Sequence, residues 1–216
     1  MRVSASEMES TLQKATIGLG LGIGCGVEVG RAALTMARHN IDPASIFAAA
    51  FDNVSSGRSS IYDNVRAFDG VFAPTQAERH LSAIIVAPTI CDFLTVGTGQ
   101  LVAENVDFPM ILLMSLLSHG LEIECEKLGE KRVVIFSKAG NLRYENGQVA
   151  DFQKPSSLKL SYIAGFERNL LSHPMGELKV DGDSWSELLC YAERCLVVGS
   201  KQSRLMEAGA GLIDED

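Results

Sequence analysis

Near the start of the chain apolar residues recur at helical spacing, with Met8, Leu12, Ala15 and Leu19 on one face. Ser4 and Glu7 stand at the spacing of a capping box, and Val3 and Met8 at the positions of a hydrophobic staple, so a helix is predicted to begin there. Glycines at 18, 20, 22, 24 and 26 then break the pattern. Each costs up to about 1 kcal/mol in a helix interior. The text predicts a Gly-rich turn, a second helix from about Cys25 to His39 that stops near Asn40 and Pro43, and a third, short helix over 43–54.

The polar stretch 55–70 predicts a mobile surface loop, and "LSAIIVAP" at 81–88 a buried strand. The run "PMILLMSLLSHG" at 109–120 has the length and closing glycine of a buried helix. From Leu121 to Ala150 the period becomes two, with short β-rich runs between Gly-containing turns, which predicts an antiparallel meander. "SSLKLSYIAG" at 156–165 adds a strand with Leu158, Leu160 and Tyr162 on one side. A second capping box, Ser184 to Glu187, predicts a last helix carrying Trp185, Leu188, Leu189, Ala192 and Leu196 on one face. The expected class is α+β: an N-terminal helical segment, a central antiparallel meander and a C-terminal helix packed on the sheet. One domain is expected over 1–216, with a helical part at 1–54, a sheet-containing part at 81–165, and the C-terminal helix and tail at 183–216.

Composition narrows the function classes. A chain of 216 residues buries roughly 70% of its unfolded surface and needs no staples. A formal net charge of −8, with no cluster of Lys and Arg, argues against a nucleic-acid or anionic-membrane surface. The five cysteines, Cys25, Cys91, Cys125, Cys190 and Cys195, fall in no paired spacing and predict reduced thiols and a cytoplasmic protein. Glu7 and Glu9 spoil a lipoprotein-signal reading of "GLGLGIGCG", and "FPMILLMSLL" is shorter than the roughly 20 residues that span a bilayer.

Several motifs dissolve on inspection. "GCGVEVG" at 24–30 has the glycines of a phosphate loop, but such a loop is delivered by a strand, and here a helix precedes it. Gly18, Gly22, Gly26 and Gly30 repeat every four residues, which suits a close helix–helix approach or an interhelical turn. Glu28, inside the second helix, has an ordinary reading as a charge complementing the positive helix end. His39, His80, His119 and His173 are scattered, so no metal is expected. Cys190 and Cys195 fall on different helix faces and are expected to be packed. His173, in "SHPMGE", reads as a loop residue, and neither a G-x-S-x-G nor a Walker loop is present, so no cofactor is called for.

The ending "SRLMEAGAGLIDED" stands apart. Ser200, Ser203 and Arg204 supply hydroxyls and a guanidinium, Gly209 and Gly211 let backbone approach closely, and Asp214 leads the closing acids. The tail is expected to be ordered and to pack near the glycine turn at 18–26, with Arg204 on a carboxylate or anion.

These two ends also resemble a bacterial family of about this length whose function is unknown. At the front the likeness rests on Lys14, Ala15, Gly18, Gly20, Gly24, Glu28 and Gly30; at the end, on Ser200, Ser203, Arg204, Ala208, Gly209, Ala210, Gly211, Asp214 and Asp216. Gly22 stands where that pattern has Pro, and Glu207 where it has Gly. The resemblance implies no activity; it marks the two ends as the place where a shared feature is built.

The residues together suggest a metabolic protein or enzyme whose two ends pack together around a small anionic molecule. Ser200, Ser203, Arg204, Gly209 and Gly211 would bind it, and Glu28 and Asp214 would serve as acid–base or orienting carboxylates. The alternative is a non-catalytic accessory or assembly subunit, such as a homodimer, that uses the glycine face and the tail as contacts.

Overall fold

The structure, a computed structural model, describes residues 1–97, 99–129, 133–138, 141–145, 147–165 and 176–195. Strand β1 (Arg2–Val3) leads into helix α1 (Ala5–Gly18), whose capping box is formed: Glu7 N donates to Ser4 Oγ at 3.1 Å and Ser4 N to Glu7 Oε2 at 3.4 Å. The staple residues Val3 and Met8 are both buried. Gly22 begins α2 (Ile23–Arg38), and Asp42 caps α3 (Pro43–Ser55) by accepting from Ala44 N at 2.9 Å, with Pro43 preset for the first turn.

The segment expected as a surface loop at 55–70 instead carries β2 (Ser59–Ser60), a short 3₁₀ turn and β3 (Val65–Phe68), and both Ser59 and Ser60 are buried. Next come β4 (Val71–Pro74), β5 (His80–Leu81) and α4 (Ala83–Val96). The expected strand at 81–88 is therefore corrected to a two-residue strand and a helix that contains Pro88. β6 (Gln100–Val106), α5 (Pro109–Ser118), β7 (Leu121–Lys127), β8 (Val133–Lys138), β9 (Asn141–Glu145), β10 (Ser156–Gly165), β11 (Leu178–Lys179) and α6 (Gly182–Glu193) complete the order.

The class is α+β, but the large sheet is mixed rather than a plain meander. Its order is β2-β5-β6-β10-β7-β8-β9, with β4 also on β6 and β3 on β4. The β7-β8-β9 meander is antiparallel as expected, while β2, β4, β5 and β6 run parallel where they pair. β10 returns to lie between β6 and β7, burying Leu158 and Leu160 as the alternation required.

Helices α4 and α5 form an inner layer: they touch each other and the sheet, and α2 packs over them. The first half of α4 and all of α5 but its last residue are buried, which is why 83–87 and 109–117 read as nearly unbroken apolar runs, while the second half of α4 turns Thr89, Asp92 and Thr95 to solvent. The outer layer is α1, α2, α3 and α6. The last helix packs on α1 and α3 rather than on the sheet, with Tyr191 edge-on to Phe51 at 5.8 Å between ring centroids. The N-terminal residues also meet the segment that precedes α6: β1 pairs with β11, and the Met1 ammonium donates to Val180 O at 2.7 Å.

Close approach explains three of the four evenly spaced glycines. A Cβ at Gly26 would lie 3.1 Å from Gln13 O of α1, and one at Gly30 2.9 Å from the flexible Glu9 side chain. Gly18 meets the Tyr191 carbonyl of α6, whereas Gly22 faces open space and serves as the α2 cap. The cap of α6 is also corrected: Asp181, not Ser184, holds the N-terminus, accepting from Ser184 N at 2.9 Å and Ser184 Oγ at 2.8 Å. Trp185, Leu188 and Ala192 are buried as expected, Leu189 is not, and Leu196 lies outside the described residues. Asp181→Ala should therefore lower the melting temperature more than Ser184→Ala, a ranking that thermal unfolding of the two variants checks. The reverse order would restore Ser184 as the cap. No described helix is long and apolar enough to cross a membrane.

Candidate functional site

Of the residues singled out from the sequence, Glu28 is described, and Ser200, Ser203, Arg204, Gly209, Gly211 and Asp214 lie outside the described residues. Glu28 sits beyond the first turn of α2, so it is not the end-capping charge of its ordinary reading. Its carboxylate is engaged sideways: Oε2 lies 2.5 Å from His119 Nε2 and Oε1 accepts from Arg31 Nη1 at 3.0 Å. His119 follows α5, at the turn made by Gly120 with φ 78°, so the pair ties α2 to α5. His119 had no signal in the sequence, since its partner is 91 residues away.

Cys25, one turn before Glu28, has a structural task. Pro88 has no N–H, so the Ile84 carbonyl loses its partner within α4. The Cys25 thiol donates to that oxygen at 3.7 Å. Burial, with the Glu28 carboxylate nearby, pushes this thiol up to about 11, which keeps it a protonated donor rather than a nucleophile. Cys125 is pushed up further by burial, while Cys190 is exposed rather than packed as expected.

A second polar centre forms where parallel strands end. Asp107, just after β6, is wholly buried, yet both its oxygens are engaged. Oδ1 accepts from Ala83 N at 2.8 Å and Phe108 N at 2.7 Å, and Oδ2 from Ser59 Oγ at 2.7 Å. It thereby caps α4 and fixes the entry to α5. Beside it the His80 ring is oriented. Asn105 Nδ2 donates to Arg79 O at 2.8 Å, so the Asn105 Oδ1 at 3.0 Å from His80 Nδ1 is the acceptor and that ring nitrogen carries the proton. Asn105 itself has φ 51°, a left-handed conformation that Asn tolerates.

The third arrangement surrounds a cavity that falls within the roughly 300–1,000 Å³ range of small-ligand sites. It measures about 530 Å³ and lies between the end of α2, the start of α3 and the Gly176–Lys179 segment. Four charged side chains line it: Arg38, Asp42, Glu177 and Lys179. Both acids are occupied. Asp42 accepts from Ala44 N, Ser45 Oγ and Asp181 N, and Glu177 accepts from Arg2 at 3.2 Å. Both bases are not: neither Arg38 nor Lys179 has an ion-pair partner among the described residues. Arg38 Nε is buried with no hydrogen-bond acceptor, and burial holds the guanidinium below its ordinary value.

The sequence reading missed Arg38 and Lys179, which look like ordinary surface charges at a helix end and a strand. The expected packing of the tail at 203–216 near the glycine turn at 18–26 lies outside the described residues; β11, which lines this cavity, pairs with β1. Among the described residues no group of His, Cys, Asp and Glu side chains is arranged to hold a metal ion. In comparisons with known proteins, no family model matches the chain and no curated protein matches it.

Proposed function

We propose that this chain is a cytoplasmic small-anion-binding metabolic protein or enzyme, and that its ligand site is the cavity at Arg38 and Lys179. The observation that carries this reading is the buried Arg38 Nε without an acceptor, in the wall of a cavity whose carboxylates are already engaged. A guanidinium without an acceptor costs free energy, and an anion in the cavity would supply both the missing acceptor and the opposite charge. Lys179 would add a second, more mobile cation. The ligand class is a small phosphate or polycarboxylate.

Thermal-shift and calorimetric titration with inorganic phosphate, citrate and succinate test the idea, since a ligand bound to the native state raises stability by mass action. At least one of these anions should bind, Arg38→Met should weaken it by about tenfold or more, and Lys179→Met by less. Without ligand, Arg38→Met should be as stable as the parent or more so, because it removes a partly buried cation whose Nε has no acceptor. Failure of every anion to bind, or binding that survives in Arg38→Met, overturns the reading.

The accessory-subunit alternative draws on different residues. Phe68 is 78% exposed and Val96 87% exposed, and among the described residues β3 pairs on one side alone, with β4. Such a surface suits contact with another copy. Sedimentation showing a strict monomer at high concentration would remove this alternative.

A further inference from the structure

Strand β3 has a free edge, and the hairpin it forms with β4 fixes which backbone groups that edge presents. Asp69 and Gly70, with φ 49° and 73°, make the two-residue turn, so Phe68 and Val71 exchange both backbone hydrogen bonds. Bonded and unbonded pairs then alternate: Arg66 with Ala73 is bonded, while Ala67 with Phe72 and Val65 with Pro74 are not. Two details agree with this phase. Pro74, which has no N–H, falls at an unbonded place, and Thr75 N donates to Asn64 O at 2.9 Å, one bonded step further on. The N–H and C=O of Val65 and Ala67 therefore point away from β4, on the side where β3 has no neighbour among the described residues.

This edge is held in place and left bare. Val102 N donates to Gly70 O at 2.8 Å, which fastens the hairpin to β6. Arg66, Ala67 and Phe68 are all exposed, Phe68 by 78%, and Ile61 and Tyr62, just before the strand, are also exposed. A bare edge with apolar side chains is a template for another strand. The other edges of the large sheet are better guarded: β9 turns Asn141, Arg143 and Glu145 outward, and β2 is two buried residues.

A second copy of the chain matches this edge in one register. Antiparallel pairing about a two-fold axis must bring the outward groups of Val65 and Ala67 together. A register centred on Val65 runs into the 3₁₀ turn at Tyr62–Asn64. With Val65 opposite Ala67, Arg66 faces Arg66 of the other copy, and like charges so placed are destabilising. With Ala67 opposite Ala67, each Arg66 instead faces Phe68 of the other copy at an unbonded pair, about 4.5 Å between Cα atoms, where a guanidinium can stack over the ring. Arg66 has no ion-pair partner among the described residues, so it is available for that contact. We propose that the chain forms a two-fold dimer through antiparallel pairing of β3 with β3 of a second copy, with Ala67 on the axis and two Arg66–Phe68 stacks beside it. Both free edges close in this arrangement, whereas β3 on β9 of the next copy would leave open ends. The proposal gives contact between copies a register, and it does not depend on the anion cavity.

Sedimentation equilibrium from micromolar to millimolar concentration should show monomer and dimer in exchange. Ala67→Pro removes the outward N–H on the axis and none of the bonds to β4, so it should abolish the dimer while a circular-dichroism melt stays near that of the parent. Phe68→Ser and Arg66→Ser should each weaken association by about tenfold or more, since each removes both stacks. Under mild oxidation Ala67→Cys should cross-link beyond the background of the parent's own thiols, whereas Arg66→Cys should not. Arg38→Met should dimerise as the parent does, which separates this contact from the anion site. A strict monomer overturns the proposal, as does growth into polymers, or cross-linking of Arg66→Cys in place of Ala67→Cys. A dimer that persists in Ala67→Pro overturns this pairing while leaving contact between copies to other residues.

Discussion

Gly18→Ala should destabilise the protein by about 2–3 kcal/mol, although alanine is the better helix former. Gly18 ends α1 where it crosses α6. A Cβ there would overlap the Tyr191 carbonyl oxygen, with the carbonyl carbon 3.1 Å and Arg194 Cβ 3.2 Å away. The obstacle is largely backbone, which cannot swing aside as a side-chain tip does. Moving it would also shift Tyr191, whose ring packs on Phe51 and lies under the Arg194 guanidinium at 4.4 Å from its centroid. The control is Gly24→Ala, in the first turn of α2 and facing open space. It should raise stability by up to about 1 kcal/mol, through helix propensity and a less flexible unfolded chain. Urea denaturation of the two variants reads opposite signs, and a neutral Gly18→Ala would mean that α1 and α6 do not approach as closely as described.

Asp107→Ala should be the costliest single change at a polar residue, about 3–5 kcal/mol. It would strip the acceptor from Ala83 N, Phe108 N and Ser59 Oγ at once, in a place with no exposure to water. Asp107→Asn keeps an acceptor oxygen for the two amides and offers an N–H to Ser59 Oγ, so it should cost far less. The pH dependence separates the two states of the wild-type carboxyl. Burial raises it above its usual value of 3.8, against the opposing hydrogen bonds from Ala83, Ser59 and Phe108 and the charge of His80. A carboxyl raised on folding binds its proton more tightly in the native state. The stability tied to that proton is full below the unfolded value and is lost as pH rises through the folded value. Asp107→Asn, neutral at every pH, should flatten that slope. Equal slopes in urea titrations of the two proteins would show that Asp107 ionises on folding as readily as in water.

Local chemistry was legible wherever one short stretch contains the whole interaction. The Ser4–Glu7 box, the Asp42-Pro43 start of α3 and the period-two runs of β7, β9 and β10 each hold their partners within a few residues or follow a strict alternation. The every-fourth-residue glycines foretold close helix crossings, and Gly18, Gly26 and Gly30 provide them. The same local logic misplaced the α6 cap at Ser184, because a Ser three residues before a Glu reads as a box whether or not an Asp stands one turn earlier. Polar composition suggested a loop at 55–70, while burial of Ser59 depends on Asp107, 48 residues on.

By itself the sequence determined the α+β class, the three opening helices, the meander and the tight glycine crossings, since propensity, capping and periodicity are local. Only the tertiary structure decided that 81–88 enters a helix: a run enclosed on all sides has no polar face, so strand and helix look alike. It also placed Glu28 against His119, 91 residues away, and set Arg38 beside Lys179 in a cavity where the acids are already taken. Whether a surface-looking charge has a partner depends on which distant segments fold against it, and no local pattern records that.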